Sequence, residues 1–66
     1  MGLNERQIKA LAFVKSKGSI NNKNYRELNN VAHDTASIEL KDMLKKGIFR
    51  AIGKGRSFSY QLKIIK

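Results

Sequence analysis

Asn21-Asn22-Lys23-Asn24-Tyr25-Arg26-Glu27-Leu28-Asn29-Asn30-Val31 is the stretch on which the fold turns. Asn21 has the short polar side chain that caps a helix by accepting from the backbone of its first turn. Tyr25 and Leu28, three apart, fall on one face of a short helix ending near Leu28. Asn29-Asn30 stops it, because Asn is the non-glycine residue that most readily takes a positive φ. Val31 then re-enters the core. From Ala32 or His33 the spacing predicts a longer helix to Lys46, with Ala36, Leu40, Met43 and Leu44 on its inner stripe. Gly47 closes it. Two helices are thus joined by a tight turn.

Upstream, Leu3 to Lys17 reads as a helix capped by Asn4, with Gln7 three residues on as the reciprocal partner of a capping box. Ala10, Leu11 and Val14 form its apolar stripe and Ile8 widens it. Lys15 and Lys17 suit the negative end of the helix, and Gly18 supplies the stop. Phe13 sits beside the stripe, either as a flank of the core or as an outward aromatic. Ser19-Ile20 is long enough for one rung of a small sheet. Downstream of Gly47 the apolar period changes from 3.6 to 2. Ile48 to Ile52 reads as a strand, Gly53-Lys54-Gly55-Arg56 as a flexible tip, and Ser57 to Leu62 as a half-buried return strand. Phe58, Tyr60 and Leu62 are expected to pack in the core or at the root of the hairpin.

The chain has 66 residues, 14 Lys plus Arg against 5 Asp plus Glu, one His and no Cys, for a formal net charge of +9. That length makes one small domain, residues 1–66. No disulfide framework is possible, and no stretch approaches the roughly 20 apolar residues of a membrane span. The first residues lack the layout of a signal peptide, so a cytoplasmic chain with no membrane partner is expected. No carboxylate pair, activated nucleophile or metal-ligand cluster stands at an interpretable spacing, so neither enzymatic activity nor a cofactor or metal is expected. A large positive excess on so small a body implies a polyanionic partner, nucleic acid above all. The excess is uneven. Residues 1–20 net +3, residues 21–46 net +1, and residues 47–66, which hold Arg50, Lys54, Arg56, Lys63 and Lys66 with no acid, net +5.

Helix, rung, helix, turn, helix and hairpin in that order resemble the winged helix-turn-helix, an α+β fold of three helices and a C-terminal β-hairpin wing. The residues that carry the resemblance run from Leu3-Asn4-Glu5-Arg6-Gln7 and Ala10-Leu11-Ala12-Phe13-Val14 to Gly18-Ser19-Ile20. They continue through Asn24-Tyr25-Arg26-Glu27-Leu28, Thr35-Ala36, Leu40-Lys41-Asp42, Leu44 and Lys46-Gly47-Ile48 to Gly53-Lys54-Gly55-Arg56. More closely, the chain is similar to the C-terminal domain of prokaryotic transcriptional regulators with an N-terminal Schlafen-like AlbA domain, some of them described as RecG-like helicases. The resemblance implies that the chain is one domain of a longer regulator, whose N-terminal part would be covalently attached.

It further implies double-stranded DNA as partner, with helix 33–46 toward the major groove and wing 50–58 toward the backbone or minor groove. On that helix the residues opposite the inner stripe are Asp34, Thr35, Ile38, Lys41 and Lys45, with His33 at the start and Ser37 at the border. Relatives usually carry Ser at the cap and Arg at the outward positions near the helix start. Here Ala32, Asp34 and Ile38 stand there, and the bidentate guanine contact that Arg provides is missing. Ile38 suits a thymine methyl, a protein contact or plain exposure. Asp34 suits either cytosine N4 or the positive end of its own helix. Thr35 and Ser37 are phosphate donors of low specificity. On the wing, Arg50, Lys54 and Arg56 surround a glycine tip whose backbone can approach phosphates. Gly53-Lys54-Gly55-Arg56 is not a P-loop, because the spacing differs and it joins two strands. The competing expectation is a protein-interaction module, with a possible homodimer anchored by Phe13 and Ile38.

Overall fold

The computed structural model describes residues 2–53 and 58–63. Three helices, α1 (Glu5–Lys17), α2 (Asn22–Asn29) and α3 (His33–Lys45), precede an antiparallel hairpin of β1 (Phe49–Ile52) and β2 (Ser59–Leu62). This is an α+β arrangement of the order predicted above. The two asparagine caps form as expected. Asn4 accepts from the Gln7 amide at 2.8 Å while Gln7 Oε1 accepts from the Asn4 amide at 3.0 Å. Asn21 and Asn24 repeat that reciprocal pair at 2.8 and 3.1 Å, so both boxes satisfy amides that helix geometry leaves open. Asn30 takes φ 54 and ψ 53, the left-handed step that lets the chain turn from α2 into α3. Ala32 contributes no side-chain cap to α3.

β1 and β2 pair with Phe49 opposite Leu62 and Ala51 opposite Tyr60. Ile20 adds the single rung, its amide donating to the Tyr60 carbonyl at 2.9 Å and its carbonyl accepting from the Tyr60 amide at 2.8 Å. This rung ties the α1–α2 connection to the hairpin. Ala10, Val14, Ile20, Tyr25, Ala36, Leu40, Met43, Phe49 and Tyr60 form one buried core, drawn from every element. Full burial of a large apolar side chain is worth about 1.5–3 kcal/mol, so Ile20, Leu40 and Phe49 are principal supports of the fold. Phe13 packs against the core from its edge, which decides between the two readings of that residue.

Four details depart from expectation. Leu44 does not join the inner stripe of α3 but is 36% exposed, and Ile8 is 54% exposed instead of widening the stripe of α1. The cause is polar: Glu39 of α3 and Gln7 of α1 are buried where the two helices meet, so the buried residues are Ala36, Glu39, Leu40 and Met43 on α3 and Gln7, Ala10 and Val14 on α1. Phe58 is also exposed, with its ring edge-on to Tyr60 at 5.1 Å between centroids. The helix predicted over 33–46 ends at Lys45, with Lys46 as its C-cap. Among the described residues, no helix is long and apolar enough to cross a membrane.

Candidate nucleic-acid interface

α3 has two polar sides of opposite character. On the side facing α1, Glu39 is the centre of a network. Arg6 donates to its carboxylate through Nε at 2.9 and 3.1 Å and through Nη2 at 2.5 Å. Asn4 Nδ2 donates at 3.0 Å and the buried Tyr25 hydroxyl at 2.5 Å. The Arg6 hydrogen bonds hold the Glu39 carboxyl down at about 2, with help from Tyr25 and Asn4 and against the opposing effect of burial. Burial first, then the hydrogen bond to Glu39, pushes the Tyr25 hydroxyl up. One turn on, Asp42 accepts from Lys46 Nζ at 2.8 Å and from Gln7 Nε2 at 3.0 Å, and those two bonds lower its pKa. Gln7 also donates to the Glu39 carbonyl at 3.0 Å. The buried Gln7 thus has a second task beyond its cap, fixing the rotation of α3 on α1.

The other side carries the residues that sequence alone proposed. Asp34 is 98% exposed at the side chain, with His33 Nδ1 3.7 Å from its carboxylate, and Ile38 is 67% exposed. Lys41 and Lys45 are exposed, and Thr35 and Ser37 are half-buried. Among the described residues, Lys41 and Lys45 form no ion pair. His33, Ser37 and Lys41 follow one another at i, i+4 and i+8 along a groove bounded by Asn22 and Lys23 of α2 and by Phe58 before β2. Asn22 holds the two helices in register there. Its Nδ2 donates to the His33 carbonyl at 3.2 Å and its Oδ1 accepts from Arg26 Nε at 2.7 Å.

The structure therefore brings His33, Ser37 and Lys41 together on this groove, and leaves Asp34, Ile38 and Lys45 on the exposed shoulder of the same helix. Arg50 is not with them. It lines a different groove, where α1 meets the hairpin, beside Lys15, Gln61 and Lys63, and its Nη2 donates to Gln61 Oε1 at 3.2 Å. Lys54 and Arg56 lie outside the described residues. Lys23 and Asn22 were missed as site candidates. Their only signal in the sequence was a place just after the Asn21 cap, where a first-turn side chain sits beside whatever the helix start approaches.

Among the described residues, no group of three or more His, Cys, Asp or Glu stands ready for a metal ion. No family model matches the chain, and no curated protein matches it.

Proposed function

We propose that the chain is a winged-helix domain that binds double-stranded DNA in transcriptional control, with α3 toward the major groove and the hairpin toward the flanking backbone. The observation that carries this reading is the sorting of charge around α3. Two of its three acids, Glu39 and Asp42, face α1 and are matched by Arg6 and Lys46. Lys41 and Lys45 remain outward with Lys23 nearby across the groove, opposed on α3 by Asp34 alone. The low net charge of residues 21–46 thus understates how basic the outer side is. A duplex presents closely spaced phosphates to such a side, and lysines bind them without reading sequence. The likeness to the C-terminal domain of AlbA-type prokaryotic regulators, a cytoplasmic location and an attached N-terminal domain belong to this same reading.

Binding to a random duplex, to single-stranded DNA and to duplex RNA at two salt concentrations tests it. Preference for duplex DNA is expected, with log K falling against log salt at a slope of about −4 to −5 for roughly five phosphates. Affinity independent of salt contradicts it. A second reading, a protein-interaction module, has one observation in its favour: Ile38 is a large apolar side chain standing free at the centre of the outer side.

A further inference from the structure

Two grooves formed by the described residues hold basic side chains and share no lining residue. The groove between α2, α3 and β2 holds Lys23 and Lys41. The second groove, where the end of α1 meets the hairpin, holds Lys15, Arg50 and Lys63 around Gln61, over Val14 and Leu62. Gly18 borders the second groove and Asn21 the first, and between them in the chain lies Ile20, bridged to Tyr60. Among the described residues no acid lines either groove.

Helix-end electrostatics explains Lys15, because a cation suits the last turn of α1. It does not explain Arg50 and Lys63, which come from the hairpin and add to Lys15 the like charges that an unoccupied surface disfavours. The Arg50 side chain and the Lys63 backbone are each held by a hydrogen bond. Arg50 is braced across the strands by Gln61, which uses one of its five N–H groups, and the Lys63 amide donates to the Ile48 carbonyl at 2.9 Å. Three cations from three segments, converging with no acid between them, suit the phosphodiester backbone of a nucleic acid.

We infer that Lys15, Arg50 and Lys63 form a second backbone-phosphate site, so that one copy of the domain holds two duplex segments at once. This rests on the DNA-binding reading above, moves Arg50 from the flanking backbone of the first duplex to the second, and adds bridging to it. The two grooves have different duties: the one beside α3 seats the first segment, and the one beside the end of α1 clamps the second by charge alone. No sequence preference is expected at the second groove, since it presents no helix to a base edge.

The test uses two short random duplexes, one carrying a donor dye and one an acceptor, mixed with the protein at half the total duplex concentration in low salt. Energy transfer between the duplexes is expected with the native chain, together with monomeric sedimentation of the protein alone. Lys15→Gln with Lys63→Gln is expected to lose the transfer at least tenfold while single-duplex affinity stays within about threefold and its salt slope is unchanged. Lys9→Gln with Lys17→Gln removes the same charge from elsewhere on α1 and is expected to keep the transfer. Equal loss in both double variants, or no loss in either, overturns the second site. So does a single-duplex salt slope that flattens by about two in Lys15→Gln with Lys63→Gln, because one duplex then covers both grooves. A protein that dimerises in step with the transfer overturns it as well. Single-duplex binding without transfer defeats this inference alone, whereas a native chain that binds no duplex defeats the DNA-binding reading and this inference with it.

Discussion

Glu39→Gln is the perturbation that most directly probes how α3 is held. Gln keeps the shape of the side chain, removes its charge and replaces one acceptor oxygen with an NH2 facing other donors. In the folded chain the Glu39 carboxyl lies at about 2, against an ordinary 4.5. That difference corresponds to about 3 kcal/mol of preference for the ionised form. Arg6 is 44% exposed at its side chain, so water screens much of its share, and a net loss of about 1–2 kcal/mol is expected. A domain this small has about 3–6 kcal/mol in all. With a urea slope near 1 kcal/mol per molar, the midpoint moves down by about 1–2 M at pH 7. The dependence on pH is sharper than the size. Because the folded pKa is below the unfolded one, the unfolded chain binds more protons between them, so stability is lost as pH drops through that window. Glu39 contributes in full above about 4.5, and its contribution is gone near 2. Urea midpoints of the native chain and Glu39→Gln, followed by circular dichroism from pH 7 to pH 2, should therefore converge as pH falls. Asp42, whose pKa is also lowered, leaves both proteins with a common slope. A gap that stays constant with pH, or one below about 0.5 kcal/mol throughout, refutes the network as described.

Other outcomes follow from the same geometry. Lys23→Ala with Lys41→Ala should weaken binding to every duplex and flatten the salt slope by about two, measured by fluorescence anisotropy at several salt concentrations. Asp34→Asn removes the one acid on the outer side of α3 and should tighten binding to random duplex by about two- to fivefold in that assay; weaker binding, confined to particular sequences, would instead give Asp34 a base contact. Asn30→Ala places a Cβ-bearing residue without a compensating polar side chain in the left-handed step and should cost about 1 kcal/mol in urea, whereas Asn30→Gly should cost little. Ile38→Asp, followed by sedimentation across concentration, separates the two functional readings: loss of a native oligomer supports a protein interface, and an unchanged monomer leaves the outer side to nucleic acid.

Much of the fold was legible in local pattern. The Asn4–Gln7 box, the Asn21 cap, the left-handed Asn30 and the change of period after Gly47 are settled within a few residues, by amides that need acceptors and by the steric limits on φ. Ile20 was legible as a rung because the helices on either side left it two residues of extended chain. Leu44 and Ile8 were misplaced for a different reason. A hydrophobic stripe fixes the rotation of a helix when apolar contacts alone decide it, and here Glu39 and Asp42 compete for that rotation. Nothing near Glu39 in sequence marks it as buried; its partners Asn4 and Arg6 lie 35 and 33 residues away.

The candidate site divides in the same way. His33, Ser37 and Lys41 were recoverable from helical spacing, since residues four apart share a face whatever surrounds them. Lys23 and Asn22 joined them, and Arg50 left them for Lys15 and Lys63, through packing between elements that no local pattern records. By itself the sequence determined which segments are helix and strand, where they stop, and that the whole is strongly basic, because caps, turns and charge depend on neighbours along the chain. The tertiary structure alone decided which charges meet. It turned Glu39 and Asp42 toward α1, where Arg6 and Lys46 match them, and set Lys41 and Arg50 on different grooves, because Coulomb interactions depend on distance in space and the fold sets those distances.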